Sequence, residues 1–404
     1  MTNPHRISEQ SRVDLIFHLK WKSDIASHTD GYQASRVNIW RDLLPPILLD
    51  DLIGRETGDR LEVNLEAATG LAAVKDRQLI DITSDRFDRT YREGITTEPR
   101  LGRFYPKGML KGFPDIFKAN VQPFRCVGLN NGHIKVDFNH PLAGRQTQLS
   151  MMVGSVRRKE SERGGASNDW LEMLLQGPGM QARWQNQRTD YFSGNGFERQ
   201  DEFDDSNFYL EPRFVHHIDE TARELVRNTY GRFLSSGMDV LDLMSSWESH
   251  LPDGLKPNRA VGLGLNADEL KRNRQLTDYV LRDLNASPSL PFESDSFDIV
   301  LNTVSVEYLT DPVSVFREVY RVLRPNGHFV VTFSNRWFPT KAIRLWGELH
   351  EFERMGLVLE YFKRSGGFRN LQTYSFRGLP RPHGDAYYPQ LPFSDPFYAV
   401  WGRK

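Results

Sequence analysis

The fold of the second half of this chain is decided by the stretch Val240-Leu241-Asp242-Leu243-Met244-Ser245-Ser246-Trp247-Glu248. Apolar residues dominate its first part and predict a strand over 239–243. Polar residues follow without a break, as expected where a strand turns toward a helix. The surrounding chain decides what kind of sheet this strand joins.

Strands and helices alternate on both sides of this stretch. The pattern of apolar residues predicts helices over 221–234 and 312–323, and strands over 260–263, 296–302 and 328–333. Such alternation is typical of a parallel, doubly wound α/β sheet. In these sheets ligands bind beyond the carboxyl ends of the strands. We therefore expect a ligand site at residues 242–248.

Length, composition and charge exclude several classes of protein. The 404 residues, 39% hydrophobic and 26% charged, predict two or three folded domains. A net charge of −1 provides no general attraction to nucleic acid or an anionic bilayer. Because Cys126 is the only cysteine, a disulfide framework, a cysteine-rich zinc site and an iron–sulfur cluster are excluded.

Localisation is predicted from what the sequence lacks. No signal peptide pattern opens the chain, and no apolar run approaches the roughly 18 residues of a membrane span. We therefore expect a cytoplasmic protein whose partners include neither a membrane nor nucleic acid.

Three further pieces, in this order and spacing, carry a family resemblance. They are Leu281-Arg282-Asp283-Leu284-Asn285, then L-P-F-E-S-D-S-F-D-I-V at 290–300, then F-R-E-V-Y-R-V-L-R-P-N-G-H-F at 316–329. Together with V-L-D-L they resemble the class I S-adenosylmethionine-dependent methyltransferases of the methyltransferase-11 type, over roughly residues 208–368. The resemblance implies a Rossmann-like sheet with helices on both faces and S-adenosylmethionine as cofactor.

The resemblance also implies which residues bind the cofactor. Asp242 would meet the ammonium of its methionine part, and Asp283 would accept a hydrogen bond from the adenine amino group. The backbone of Leu284 would complete the adenine edge. The full predicted set is Asp242, Met244, Ser245, Ser246, Trp247, Asn266, Asp283, Leu284, Asn285 and Thr303.

Two departures from the family pattern leave alternatives open. The glycine-rich turn is replaced by residues 244–248, and Gly264 stands where an acid would hold the ribose hydroxyls. Either the site has decayed, or this is a subgroup that uses serine hydroxyls, with Asn266 on the ribose. We favour the second explanation because the neighbouring motifs remain readable.

Candidate catalytic residues lie just before the predicted sheet and after its fourth strand. Methyl transfer needs a well-placed nucleophile and, for a neutral O–H or N–H group, removal of a proton. We predict Arg213 as an anion clamp, His217 as a base, and Tyr209 and Tyr308 as substrate contacts. The alternative is structural, with Asp219 as a helix cap that pairs with its neighbours. No metal site is expected.

The first half is predicted to be a β-rich α+β domain over residues 10–156. The pattern at 44–63 and the block V-D-F-N-H-P-L-A-G at 136–144 resemble FKBP-type prolyl isomerases of the SlyD-like group. That resemblance implies an insert in the flap at about 80–136. Residues 65–71 stand where the family has a Tyr-Gly pair, so isomerase activity is doubtful.

A polar stretch over 157–206 is predicted to be a linker with one short helix, followed by the methyltransferase domain at 207–404. The leading hypothesis is a methyltransferase acting on the thiol, amine or oxygen of a small molecule. The alternative is an FKBP-assisted protein or peptide methyltransferase, or a chaperone-linked binding module. An active prolyl isomerase is the weakest hypothesis.

Overall fold

The computed structural model describes residues 6–63, 75–94, 96–159 and 165–404. In these ranges the strands are β1 (Ser11–Lys22), β2 (Ser27–Asn38), β3 (Arg60–Val63), β4 (Leu79–Thr83), β5 (Phe104–Pro106), β6 (Pro123–Asn130), β7 (His133–Asp137), β8 (Thr147–Arg158), β9 (Asp239–Leu243), β10 (Arg259–Gly264), β11 (Asp278–Leu281), β12 (Phe297–Thr303), β13 (Leu323–Phe333), β14 (Arg369–Arg377) and β15 (Phe397–Arg403). The helices are α1 (Pro46–Leu52), α2 (Trp170–Leu175), α3 (Asp205–Phe208), α4 (Glu220–Tyr230), α5 (Ala267–Arg272), α6 (Pro312–Val322), α7 (Arg344–Glu348) and α8 (Glu351–Ser365). Short 3₁₀ turns cover Asp76–Gln78, Ser84–Arg86, Lys107–Met109 and Val306–Tyr308.

The second half forms the predicted Rossmann-like sheet. Its strand order is β11-β10-β9-β12-β13-β15-β14, with β15 antiparallel to both of its neighbours. The central strand β9 pairs in parallel with β10 and β12, so that Leu241 lies opposite Val261 and Val300. All five residues of β9 are buried, because helices cover both faces. The prediction of a doubly wound parallel sheet is confirmed.

Apolar side chains pack on each face of this sheet. On one face, Phe316 of α6 and Phe362 of α8 pack against Phe329 of β13. On the other face, Val226 and Tyr230 of α4 belong to a second buried cluster.

No helix in the described part of the chain has the length and apolarity needed to cross a bilayer.

The first half adds four antiparallel strands in the order β2-β1-β8-β3. Strand β2 pairs in parallel with β14, so the two halves share one sheet of eleven strands. Buried hydrogen bonds tie this junction together, from Ser375 Oγ to Asp30 (2.8 Å) and between His28 Nδ1 and Thr373 Oγ1 (2.8 Å). The halves are therefore joined by backbone pairing and by buried polar contacts.

A second sheet, β4-β7-β6-β5, covers most of the expected insert at 80–136. It has its own apolar core, which includes Phe124, Val136 and the buried Cys126. Its central hairpin turns at Asn131 and Gly132, both with positive φ, as the sequence predicts. This β-rich region does not by itself establish an FKBP-like fold, and residues 65–71 of that comparison lie outside the described residues.

The segment expected to be a linker is packed into the molecule. Within residues 165–206, Trp170 of α2, Met180 and Tyr191 are buried. Arg183 pairs with Glu360 of α8 at 2.6 Å. Two short helices, α2 and α3, begin here instead of the one expected. Trp170 of α2 joins the apolar core of the first half, whereas Met180 and Tyr191 join that of the second half.

The junction between the halves generates the first prediction, Asp30→Ala. The buried Asp30 carboxylate accepts hydrogen bonds from Trp21 Nε1 (2.8 Å), Ser375 Oγ (2.8 Å) and Gln181 Nε2 (3.4 Å). Leaving these donors without an acceptor should lower the free energy of unfolding by about 3 kcal/mol, at about 1 kcal/mol per hydrogen bond.

Urea denaturation followed by circular dichroism measures this loss. The exposed Asp50→Ala is the matched control and should change stability by less than about 0.5 kcal/mol. If the two variants were equally stable, the junction would not be an important source of stability.

Candidate active site

A cavity of about 770 Å³ lies at the carboxyl ends of the parallel strands. Its walls come from the turns after β9, β10, β11 and β12, from the segment before α4, and from the loop after β13. All fourteen site residues predicted from the sequence line it: Tyr209, Arg213, His217, Asp242, Met244, Ser245, Ser246, Trp247, Asn266, Asp283, Leu284, Asn285, Thr303 and Tyr308.

The turn after β9 is built around Asp242. Its carboxylate is buried and accepts a hydrogen bond from Ser245 Oγ (2.5 Å). Burial raises the pKa of Asp242 to about 6, although hydrogen bonds from Ser245 and Ser249 act in the opposite direction. Met244 adopts a left-handed conformation (φ +57°), the backbone geometry for which a glycine is usually chosen. The turn therefore forms without the family's glycines.

The absent acid at position 264 has a steric explanation. A Cβ atom on Gly264 would lie 2.3 Å from the carbonyl oxygen of Ser245, so no side chain fits there. A carboxylate enters the cavity from α5 instead, because Glu269 accepts a hydrogen bond from Ser246 Oγ (2.6 Å). Sequence analysis missed Glu269, although an acid in the first turn of the helix after β10 was a usable signal.

Asn266, which was predicted to contact the ribose, makes hydrogen bonds within the protein. Its Oδ1 accepts hydrogen bonds from the backbone N–H groups of Asp268 and Glu269, which caps α5. Its Nδ2 donates to the carbonyls of Tyr209 (2.9 Å) and Leu210 (3.0 Å). Both ends of the amide are thus engaged with protein, so Asn266 holds the segment before α4 and is not available to the ribose in this conformation.

The loop after β11 presents Asp283 to the cavity. Its Oδ1 accepts hydrogen bonds from the backbone N–H groups of Asn285 (2.8 Å) and Ala286 (3.2 Å). Leu284 is buried, whereas the Asn285 side chain is bonded to protein at both ends. Thr303 Oγ1 likewise bonds to the Tyr230 hydroxyl (2.5 Å). Asp283 is therefore the member of this group best placed to meet a ligand.

Aromatic rings surround Arg213 in the cavity wall. Its guanidinium lies 4.5 Å from the ring centre of Phe208, 5.1 Å from that of Phe338 and 5.4 Å from that of Tyr209. One N–H group donates to the Phe208 carbonyl (3.0 Å). The backbone N–H of Arg213 donates to Glu269. The rings and these bonds fix Arg213 as part of the cavity wall.

His217 and Tyr308 also pack against Phe338. The ring of His217 meets Phe338 edge to face at 5.1 Å, and the Tyr308 hydroxyl accepts a hydrogen bond from the Phe338 backbone N–H (2.9 Å). Burial, and then the neighbouring Arg213, lower the pKa of His217, so the imidazole is neutral at neutral pH. Burial raises the pKa of Tyr308, which keeps its phenol protonated.

Two acids close in the chain to His217 and Tyr308 are outside the cavity wall. Asp219 caps α4 by accepting a hydrogen bond from the Ala222 N–H (2.9 Å), and it forms an ion pair with Arg381 at 3.2 Å. These contacts agree with the structural alternative, in which Asp219 is a helix cap. Glu307 is buried, its Oε2 has no hydrogen-bond partner within the described residues, and burial raises its pKa to about 8.

Sequence analysis also missed much of the cavity mouth. Glu248 pairs with His216 at 3.1 Å, and its pKa falls to about 2, chiefly because of the neighbouring His250, whose Nδ1 lies 3.5 Å away. Tyr387, from the loop between β14 and β15, packs 5.0 Å from the Arg336 guanidinium. Within the described ranges, no group of three or more His, Cys, Asp or Glu side chains is arranged to hold a metal ion.

Comparison with known proteins identifies the type of domain. Residues 253–331 match the family model described as a methyltransferase domain. The chain is 26% identical over 163 residues to a demethylmenaquinone methyltransferase of Lactiplantibacillus plantarum, which is 35% of this chain and 69% of that relative. It is 31% identical over 144 residues to the ubiquinone/menaquinone biosynthesis C-methyltransferase UbiE of Roseobacter denitrificans, which is 35% of this chain and 49% of that relative.

A solved S-adenosylmethionine-dependent methyltransferase from Mesorhizobium loti is 19% identical, with a TM-score of 0.29 over 44% of this chain and 96% of its own. The family model does not extend into the first half, so the FKBP-like resemblance there stays a prediction. Family match, curated relatives and strand order agree on the second half. The chain therefore contains a class I S-adenosylmethionine-dependent methyltransferase domain, with S-adenosylmethionine as its cofactor.

Proposed function

We propose that the protein transfers the methyl group of S-adenosylmethionine to a small-molecule acceptor bound in the 770 Å³ cavity. The observation that carries this proposal is that one cavity is lined both by the acidic groups Asp242 and Asp283 and by aromatic rings with Arg213 and His217. We assign the part with the acidic groups, the first end, to the cofactor. We assign the part with the aromatic rings, the second end, to the acceptor.

The first end has the groups that the cofactor requires. We assign the ammonium of its methionine part to Asp242 and the adenine amino group to Asp283, with the backbone of Leu284 on the adenine edge. Ser246 and Glu269 replace Asn266 as candidates for the ribose hydroxyls, because their side chains already meet at the turn. The bound cofactor supplies an electrophilic methyl group on a sulfonium.

The second end favours a flat, largely apolar acceptor. Trp337, Phe338 and Tyr387 line it, and aromatic walls of this kind bind planar molecules well. His217 is neutral at neutral pH and can accept the proton of an O–H, N–H or S–H nucleophile. Arg213 would attract an anionic group on the acceptor.

The names of the relatives support a small acceptor. One is named a demethylmenaquinone methyltransferase, another a ubiquinone/menaquinone biosynthesis C-methyltransferase, and a third a malonyl-[acyl-carrier protein] O-methyltransferase of Marinomonas. The acceptor atom, whether sulfur, nitrogen or oxygen, is left to experiment.

Calorimetry with S-adenosylhomocysteine, followed by a labelled-methyl assay, tests this proposal. We expect binding, and transfer of label to a member of a panel of quinols, phenols, amines, thiols and carboxylic acids. Absence of cofactor binding would overturn the proposal. Label that appears only in protein from a cell extract would instead support the peptide alternative.

The buried Asp242 predicts pH-dependent cofactor binding. Its pKa of about 6 lies above the ordinary value, so the carboxylate is ionised at pH 7.5 and largely protonated at pH 5. Only the ionised form attracts the cofactor's ammonium, so affinity for S-adenosylhomocysteine should fall by about tenfold from pH 7.5 to pH 5. Calorimetry at several pH values measures this.

Two controls isolate the contribution of Asp242. Asp242→Asn should bind more weakly and show little dependence on pH in this range. Methylthioadenosine, which has no ammonium, should bind the unaltered protein with nearly constant affinity. A pH dependence that persists in Asp242→Asn would assign the effect to another group.

The position of His217 predicts a specific loss of rate. His217→Ala should lower kcat by about 10²- to 10⁴-fold for an acceptor that must lose a proton, with cofactor affinity unchanged. In the unaltered protein with saturating S-adenosylmethionine, where Asp242 no longer limits the rate, kcat/KM for the acceptor should rise through a pKa below 6.5, because the pKa of His217 is lowered.

That rise should be absent in the variant, and added imidazole should restore part of the activity. The exposed His133→Ala, on β7, is the matched control and should keep the normal rate. An unchanged pH profile in His217→Ala would exclude His217 as the base.

A further inference from the structure

The segment before α3 is fixed along the loop that follows β13. Backbone hydrogen bonds run from Leu345 N–H to Gly196 O (2.8 Å), from Arg344 N–H to Glu198 O (2.8 Å) and from Asp201 N–H to Thr340 O (2.9 Å). A stretch predicted to be a linker thus borders the methyltransferase cavity. Its last residues place one carboxylate, that of Asp205, in the cavity wall.

Asp205 is buried between two cations. Both of its oxygens accept from Arg199 Nη1 (2.8 Å each), and Lys341 Nζ lies 3.1 Å from Oδ1. The side chains of Arg199 and Lys341 are also buried, with 6% and 1% of their surfaces exposed. Such a carboxylate has a fixed orientation, because both partners are held in place.

The same carboxylate binds the cofactor loop. Asn285 Nδ2 donates to Asp205 Oδ2 (2.8 Å) and to the carbonyl of Tyr308 (2.9 Å). Asn285 Oδ1 accepts from the backbone N–H of Thr310 (2.9 Å). The backbone N–H of Asn285 in turn donates to Asp283 (2.8 Å). A continuous path of hydrogen bonds therefore runs from Asp205 through Asn285 to Asp283.

Polar contacts add to the packing of this loop. Leu284 anchors it in the apolar core, but a second cavity of about 570 Å³ also borders it, because Asp205, Asp283 and Asn285 line both cavities. Polar contacts are needed to fix side chains that border open space in this way. Within the described residues, Asp205 provides the charged contact to Asn285.

We propose that Asp205, held by Arg199 and Lys341, is a positioning residue that orients Asn285 and thereby the Asp283 carboxylate at the adenine end of the cofactor site. This inference rests on the proposed function, which assigns the adenine amino group to Asp283. It gives the segment before α3 a role in selecting the base of the cofactor.

Comparing an adenine ligand with its hypoxanthine analogue distinguishes this role from a purely structural one. In S-inosylhomocysteine the amino group is replaced by oxygen, which cannot donate to Asp283. The unaltered protein should bind S-adenosylhomocysteine at least about tenfold more tightly, as expected for a hydrogen bond to a charged group. In Asp205→Asn the affinity for S-adenosylhomocysteine should fall, and the ratio between the two ligands should decrease severalfold, to the part that the Leu284 backbone at N1 of the base sustains by itself.

Asp201→Asn is the matched control. Asp201 also lies near Lys341 Nζ (3.2 Å), but it lines neither of the two cavities. This variant should keep both the affinity and the ratio. Thermal unfolding of each variant shows whether the fold is intact.

Asn285→Ala provides a second test if Asp205→Asn is unstable. It should lower the ratio by a similar factor, and the double variant should lose no more than either single variant, because both act along one path. An unchanged ratio in a folded Asp205→Asn, or additive losses, would overturn the inference. Failure of the unaltered protein to bind S-adenosylhomocysteine would instead overturn the proposed function.

Discussion

The parallel pairing of β9 with β10 and β12 is the constraint on which the rest of the molecule depends. This pairing brings the carboxyl ends of three strands to one edge of the sheet. The turns that follow lie beyond the sheet, so strand pairing does not use their polar groups, which can meet a ligand. Burial of β9 on both faces keeps that edge rigid. The cavity lies where the polar turns after these strands meet, at the carboxyl ends of the buried sheet.

The amino-terminal half completes this sheet. Strand β14 would otherwise be an exposed edge, and β2 covers it with parallel pairing. A buried ion pair between Arg103, which precedes β5, and Glu353 of α8 links the second sheet to the second half. An ion pair with both members buried needs good geometry to be tolerated, so these contacts define how the parts fit together. The two halves therefore share a single structural framework.

The cavity shows what motif reading locates and what it does not. Asp242 lies at the end of a predicted strand and Asp283 in a motif of the family resemblance, and the parallel topology brings both to the cavity wall. Asn266 shows the limit, since its place in the chain predicts a ligand contact whereas its amide caps α5 and holds Tyr209. The partners of a side chain depend on which segment folds over it. Glu269 and Tyr387 were missed for the same reason.

The sequence by itself determined the alternation of strands and helices, the parallel sheet and the edge of that sheet at which the cavity lies. These follow from local patterns of apolar residues and from the fixed geometry of strand pairing. Only the tertiary structure decided two further features. The Ser245 carbonyl occupies the space that an acidic side chain at position 264 would need, and Asp205 accepts a hydrogen bond from Asn285. Both depend on contacts between segments distant in the chain, whose distances and orientations no local pattern encodes.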